Sequence, residues 1–168
     1  CRIAVQDGGF RLVWIGLIDQ EEKIIRPVSW SGYEDSYVQN ILISTQNIPE
    51  GRGPAGTTAA TGNFVVSVDI ENDPRMLPWK DAALKRGYRS IASFPLTING
   101  KITGVILFYS SEVNYFDQEE IQLLRGLSDD ISFALEAMKK EKQRQEALDL
   151  LQQEKEFNEQ LIKASPTF

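Results

Sequence analysis

The sequence predicts an α+β fold: a central antiparallel β-sheet with helices on both sides and a long C-terminal helix. Three observations carry this. "SIASFPLTINGKITGVILFYSS" (90–111) holds two alternating apolar runs around Asn99-Gly100, the sequence of a type I′ hairpin turn, because both turn positions need positive φ. "FRLVWIGLID" (10–19) is apolar on both faces, so its sheet is covered on both sides. From Asp117 a helix start is marked, and no proline or glycine interrupts residues 127–164.

The 168 residues suffice for one well-buried domain plus a tail. Apolar residues make up 42 % and charged residues 25 %, as in ordinary globular chains. A net charge of -6 with no basic stripe argues against nucleic acid as a partner. No apolar run is long enough to span a membrane, so no membrane contact is expected. There is no histidine, which excludes Ser-His-Asp and Cys-His nucleophilic sites, histidine-ligated haem or zinc, and a phosphoacceptor histidine within these residues. The single cysteine, Cys1, rules out an internal disulfide and any CxxC metal site and fits a reducing, cytoplasmic setting. A start at Cys1 suggests a fragment of a longer protein.

Taken in order, "CRIAVQDGG" is the end of a helix stopped by Gly8 and Gly9. In the strand 10–19, Val13 and Ile15 point one way and Leu12 and Trp14 the other. "IIRPVSW" (24–30) returns as a second strand, with Pro27 marking an edge or a bulge. Residues 33–43 are a short helix or irregular cover. In "GRGPAGTTAATG" (51–62) the spacing of Gly51, Gly56, Thr57 and Thr58 has the outline of a phosphate loop, but no lysine follows Gly56 and no buried strand precedes it. A structural helix fits better, with Pro54 at its first position and Gly62 just past its end. "FVVSVD" (64–69) is a third strand. "DPRMLPWKDAALKRG" (73–87) is helical in its later part, with Pro78 at an early helical position, Gly87 as the stop, and Trp79, Ala82, Ala83 and Arg86 on one face.

Counting from the Asn99-Gly100 turn sets Phe94 across from Val105, Leu96 from Thr103, Ala92 from Leu107, Pro95 from Gly104 and Ser93 from Ile106. The face carrying Ser93 is then small in the middle, so backbone or ligand packs close there. In the last helix Asp117 is the N-cap, Glu120 its reciprocal capping-box partner, and Phe116 with Ile121 the hydrophobic staple. The stripe Leu124, Leu127, Ile131, Ala134, Met138 breaks over "KKEKQRQE" (139–146), and Ala147, Leu150 and Leu161 resume in shifted phase. This helix leaves the domain, and a second copy is expected to cover its stripe.

With these elements in order, residues 1–138 resemble a GAF domain. The matching stretches are "GLID", "GRGPAGTTAATG", "VSVDIENDPRM", "PWKDAALKRGYRS", "FPLTINGKITGVILFYS" and "YFDQEE". They look most like GAF domains of bacterial multi-domain signalling proteins. "FNEQLIKASPTF" (157–168) looks like the lead-in to a PAS domain. The resemblance thus implies a sensory domain over 1–138, a helical, coiled-coil-like linker over 139–164, and the start of a following domain at 165–168. The parent would be a sensor histidine kinase or a diguanylate cyclase. It also implies terminal helices on one sheet face and a pocket under short helices on the other.

Cyclic-nucleotide-binding members carry an Asn and a Lys-Phe-Asp…Glu pattern near the last helix. Phe116, Asp117 and Glu120 match, but Ser110 stands for the Asn and Tyr115 for the Lys. The base-contacting Phe-Asp pair corresponds to Trp30 and Ser31, with the acid lost. The short-helix residues that touch nucleotide correspond to Pro54 and Ala55, and a strand glutamate to Leu107. Methionine-sulfoxide-reducing members need catalytic cysteines, which the body of this chain lacks. Bilin and haem members need a Cys or His that is also missing.

The candidate ligand-binding residues are therefore Trp30, Ser31, Pro54, Ala55, Arg75, Trp79, Tyr88 and Ser93, with no catalytic residue, metal or cofactor. Each has a plainer reading. Trp79 can anchor its helix on the sheet. Arg75, Arg86 and Arg89 can pair with Asp69, Asp73 or Asp81. Tyr88 can be an ordinary contact beside Gly87, whereas Ser93 is a polar group on a covered sheet face. The expectation is a non-catalytic sensory module that binds an unknown small molecule or a partner, forms a homodimer through its C-terminal helix, and signals to downstream domains of its own chain. The alternatives are a dimerisation or protein-interaction module with a vestigial pocket and a cyclic-nucleotide-binding domain.

Overall fold

The computed structural model describes residues 1–166. Arg2–Gly8 forms α1, which ends at Gly9 with φ 71°, a left-handed stop suited to glycine. β1 (Leu12–Asp19) and β2 (Ile24–Gly32) pair antiparallel. Both readings of Pro27 hold. β2 is an edge strand, and a bulge leaves Val28 out of register, because Ile15 faces Ser29 while Gly16 faces Pro27.

The cover of the sheet is built from short pieces. Tyr37–Asn40 is α2, a single turn. A 3-10 turn at Pro49–Gly51 leads into α3 (Pro54–Thr61), which has Pro54 in its first turn and ends at Gly62 with φ 73°. β3 (Val65–Ser67) is shorter than expected. After a 3-10 turn at Pro74–Met76, α4 spans Lys80–Lys85. Trp79 is its N-cap, so Pro78 lies before the helix rather than in its first turn. On α4 Trp79 and Ala83 are buried and Arg86 is half-buried, but Ala82 is exposed.

β4 (Ser90–Ile98) and β5 (Lys101–Ser110) complete a five-stranded antiparallel sheet of order β2-β1-β5-β4-β3. Asn99 and Gly100 have φ of 51° and 73°, and the turn sets Ile98 against Lys101 and Thr97 against Ile102. The next pairs depart from simple counting. A bulge leaves Thr103 unpaired, so Leu96 faces Gly104, Pro95 Val105, Phe94 Ile106, Ser93 Leu107 and Ala92 Phe108. The one-residue displacement moves β5 side chains to the opposite faces from those expected. Val105, Leu107 and Tyr109 join the short-helix side, and Ile106 and Phe108 the terminal-helix side. The face carrying Ser93 is accordingly filled rather than small in the middle.

Two cores result. One lies under α2, α3 and α4 and includes Trp14, Tyr37, Met76, Trp79, Leu107 and Tyr109. The other lies under α1 and the last helix, α5 (Gln118–Ala164), and includes Phe10, Val13, Phe94, Phe108, Phe116 and Leu124. Asp117 caps α5, its carboxylate accepting from the Glu120 N–H at 2.8 Å. The reciprocal half of the capping box does not form, since the Asp117 N–H donates to the Tyr115 carbonyl. Burial, with the Asp117 and Glu119 charges adding to it, holds the Glu120 carboxyl above the ordinary carboxylate value.

The buried face of α5 also differs from the expected stripe. Leu124 is buried and Ile131 half-buried, but Leu127, Ala134 and Met138 are exposed, and Ser128 and Ser132 occupy the sheet side. The reason lies in β4. β3 pairs only with Ile91, Ala92 and Ser93, so no strand covers the outer edge of β4 beyond Ser93. The Ser128 hydroxyl donates to the Pro95 carbonyl at 2.6 Å, the Thr97 N–H donates to the Ser132 hydroxyl at 3.0 Å, and the Asn99 N–H donates to the Glu136 carboxylate. Four helical residues rise about 6 Å and two strand residues about 6.6 Å, so the two rows stay in step.

From Ala137 onward every described residue is exposed. Of the expected further domain at 165–168, Thr167 and Phe168 lie outside the described residues. No helix among the described residues is long and apolar enough to cross a membrane. No cluster of three or more His, Cys, Asp or Glu is gathered for a metal among them.

Candidate functional site

The short-helix face of the sheet carries a small apolar cavity. The sheet supplies its floor through Ile91, Leu107 and Tyr109. Pro54 and Ala55 of α3, Met76 and Trp79 ahead of α4, and Tyr37, Ile41 and Ile43 form its walls and roof. Its volume is about 10 Å³, room for roughly one water. No charged side chain among the described residues lines it. Tyr37 is only 4 % exposed and packs edge-on against Tyr88 and Tyr109. Tyr109 accepts from the Trp14 indole N–H at 3.3 Å. Burial pushes the Tyr37 and Tyr88 hydroxyls well above the ordinary phenol value and that of Tyr109 up to about 12, so this cluster is neutral at physiological pH.

A groove of about 170 Å³ lies outside the cavity, lined by Ser36, Asn40, Ala82 and Arg86 among others. Tyr37, Ile41 and Trp79 line both spaces and form the wall between them. Two contacts hold that wall. The Trp79 indole N–H donates to the Leu42 carbonyl at 3.1 Å. The Arg86 guanidinium donates to the carbonyls of Glu34 at 2.8 Å, Asp35 at 2.6 Å and Ala82 at 2.9 Å, and lies 5.4 Å from the Tyr37 ring centre.

Of the residues singled out in the sequence, Pro54, Ala55 and Trp79 meet at the cavity. Trp79 also anchors its segment, as the plainer reading has it. Tyr88 is fully buried beside Tyr37 and Tyr109, and its hydroxyl donates to the Tyr33 carbonyl. Ser93 is fully buried, its hydroxyl unpaired, while its carbonyl accepts from Thr58 at 3.4 Å. Neither Tyr88 nor Ser93 is a cavity-lining residue. Trp30 and Ser31 lie on the edge strand, Trp30 being 40 % exposed, and are not brought to the cavity.

Arg75 sits apart as well, in open surface grooves. It is held by Asp73 at 2.6 Å and by the Val66 carbonyl at 3.0 Å. Burial alone would raise the Asp73 carboxyl, but the hydrogen bonds it accepts from Arg75 and Ser67, with the Arg75 charge, together outweigh it and hold the group below its ordinary value. Arg89 pairs with Glu71 at 3.2 Å and Asp69 at 3.8 Å. Arg86 takes backbone carbonyls instead of Asp81.

Sequence reasoning missed Tyr37, Met76, Ile91 and Tyr109. The Thr103 bulge concealed the facing of β5, and a one-turn helix such as α2 has no periodicity from which Tyr37 can be placed. The glycines of "GRGPAGTTAATG" serve packing. A Cβ on Gly53 would stand 2.4 Å from the Trp79 ring and one on Gly56 would stand 2.2 Å from the Gly51 carbonyl oxygen.

Similar folds occur among solved structures. A free methionine-R-sulfoxide reductase from Neisseria meningitidis, in complex with its substrate, is 23 % identical over 82 % of this chain and 74 % of its own, with a TM-score of 0.65. The GAF domain region of a protein from Geobacter sulfurreducens PCA is 20 % identical over 80 % of this chain and 87 % of its own, with a TM-score of 0.66. A domain ascribed to a two-component sensor histidine kinase of Sinorhizobium meliloti 1021 is 16 % identical over 84 % and 90 %, with a TM-score of 0.64. At these identities the likeness is one of fold, shared by reductases and signalling domains alike. No match was found among curated protein sequences. The family model of the GAF domain matches residues 1–136, which span the sheet, both cores and the α5 segment bonded to β4, and the chain therefore belongs to the GAF domain family.

Proposed function

We propose that this chain is a non-catalytic sensory module of a cytoplasmic signalling protein. In this reading a small molecule binds on the short-helix face, and α5 relays the event to an output domain farther along the same chain. The observation that carries the reading is the placement of β4. Ile91 faces the cavity, the neighbouring Ala92, Phe94 and Leu96 belong to the α5 core, and the strand's free edge is hydrogen-bonded to α5. A change in the cavity thus meets α5 through one strand.

A non-catalytic role is supported by the position of Cys1. It packs in the core on the opposite face of the sheet from the cavity, with its sulfur 3.7 Å from the Ser29 carbonyl. Thiol chemistry at the cavity has no group to perform it, which separates this site from the cysteine-dependent reductases of the family. A sensor histidine kinase or diguanylate cyclase as parent, with a PAS domain after the linker 139–164, fits the likeness to signalling domains. The small size of the cavity, about 10 Å³, favours, as the second reading, a dimerisation or interaction module with a vestigial pocket. Cyclic nucleotides suit the site less well, since its walls offer no cation to their phosphate.

The relay requires a partner for α5. Leu127, Ala134, Leu148 and Ile162 lie at multiples of seven residues on the exposed helix, with Glu141 and Lys155 at the intervening positions, and Leu151 follows Leu148 by three. This is a coiled-coil spacing with polar interruptions, and a second copy of the chain satisfies it. Analytical ultracentrifugation of residues 1–168 and 1–138 tests this. A dimer that becomes a monomer on truncation, or on Leu148→Glu with Leu151→Glu, is expected. A full chain that stays monomeric at high micromolar concentration would overturn the relay.

A further inference from the structure

α5 carries two apolar seams, one residue out of phase with each other. The Leu148 seam contains Leu127, Ala134, Ala137, Leu148, Leu151 and Ile162, and the Phe157 seam contains Phe133, Ala147, Leu150, Phe157, Leu161 and Ala164. Both follow the three-and-four spacing of a two-stranded coil, and every one of these residues is exposed. Each seam offers four large apolar side chains and two alanines, so apolar burial does not choose between them. Neighbouring positions lie about 100° apart around a helix, so a pair that closes on one seam turns the other to water. Charge does distinguish them. Asp130, Glu141, Arg144 and Lys155 interrupt the Leu148 seam, two acids and two bases that cancel. Asp129, Glu136, Lys140 and Glu154 interrupt the Phe157 seam, three acids and one base that leave -2 per chain. Glu136 is also the last rung of the joint with β4, its carboxylate accepting from the Asn99 N–H at the hairpin tip. With that rung made, the hairpin tip obstructs the Phe157 seam at Glu136, while Leu127, Ala134 and Ala137 face away from the sheet.

We propose that a second copy of the chain pairs in parallel with α5 on either seam, and that the joint between α5 and β4 chooses which. This rests on the dimeric relay. With Ser128, Ser132 and Glu136 bonded to the strand edge, the Leu148 seam closes. When the joint loosens, Glu136 is freed and the Phe157 seam pairs back as far as Phe133. A second copy is the occupant because the helix extends about 40 Å beyond Ala137, and a partner must match that length and the seven-residue repeat. Charge agrees, since Glu141 and Arg144, 2.7 Å apart within one helix, become adjacent layers of opposite sign in a parallel pair. A change of seam turns the end of α5 by about 100° relative to its partner, and this rotation is what a domain attached after it receives.

The test is disulfide cross-linking of the full chain, with Cys1→Ser and one new cysteine. Lys155→Cys lies on the Leu148 seam and Glu154→Cys, one residue earlier, on the Phe157 seam, and neither removes an apolar side chain. With the joint intact, Lys155→Cys is expected to form the covalent dimer several-fold faster than Glu154→Cys. Ser132 lies on neither seam, so Ser132→Ala removes a rung of the joint without touching the pairing face. It should move the ratio of the two rates toward Glu154→Cys by about threefold or more. Raising NaCl from about 0.05 M to about 0.5 M screens the like charges of the Phe157 seam and should move the ratio the same way with the joint unaltered. The proposal is overturned if Glu154→Cys is the faster in the intact chain, or if the ratio stays fixed under either change. A fixed ratio with both cysteines reactive means a static phase break over 139–146, which leaves the dimer standing and removes the choice of seam. Failure of either cysteine to give a covalent dimer overturns the proposal and the relay together.

Discussion

At Gly56 two residue-level preferences oppose each other. Alanine is favoured over glycine inside a helix by roughly 1 kcal/mol. Yet a Cβ at this position would stand 2.2 Å from the Gly51 carbonyl oxygen and under 3 Å from two further backbone atoms of Gly51, none of which can swing aside. Overpacking of this kind costs about 1–3 kcal/mol, so steric conflict wins. Gly56→Ala is therefore expected to lower the urea midpoint, with a net destabilisation of about 1–2 kcal/mol. A stabilised variant would show that the α3 entry is not tightly packed. The sequence allowed α3 to be placed by Pro54 and Gly62, because a fixed φ and a left-handed stop are local properties. It did not allow the partner of Gly56 to be seen, because that contact depends on the Pro49–Gly51 turn folding back against the helix. Tyr37 was hidden for the same reason: its burial is set by Trp79 and Tyr109, both distant along the chain.

Among the elements, the joint between α5 and β4 decides how the molecule is held together. Hydrophobic spacing alone points to a stripe through Leu127 and Met138, whereas the helix turns Ser128 and Ser132 to the sheet. An unpaired buried backbone group costs about 1–3 kcal/mol, and the exposed edge of β4 offers several. Serines and Glu136 satisfy them, leaving Leu127 and Met138 facing outward. Ser132→Ala removes the partner of the Thr97 N–H while improving helix propensity. Loss of the bond should prevail, with a cost of about 1 kcal/mol and faster exchange at the Thr97 amide. An unchanged Thr97 amide together with higher stability would mean that the joint is apolar contact alone. The hairpin shows a similar limit of sequence reasoning. Asn99-Gly100 specified the turn and the first two pairs, but the bulge at Thr103 has no strong residue signature, and one unpaired residue reverses the facing of every side chain after it.

For the whole molecule, strand existence, the antiparallel hairpin, covered faces and the protruding helix were legible, since each follows from alternation, turn chemistry or the absence of helix breakers, whereas the order of the strands was not. The cavity was not, since it is assembled from five separate segments. Its size and charge come from packing: about 10 Å³, with no charged side chain among the described residues that line it. The account's central claim is that this cavity and the helix α5 are mechanically joined through β4. It is tested most directly by dipolar electron-spin distances across the dimer. Cys1→Ser protein labelled at exposed residue 145 would be measured with and without phenol, a small uncharged ring used as the probe for the apolar cavity, while the amides of the cavity-lining Ile91 and Leu107 report occupancy. The account predicts that the inter-label distance distribution shifts in step with occupancy and that Ser132→Ala blunts the shift. A saturated cavity with an unmoved distribution would contradict it.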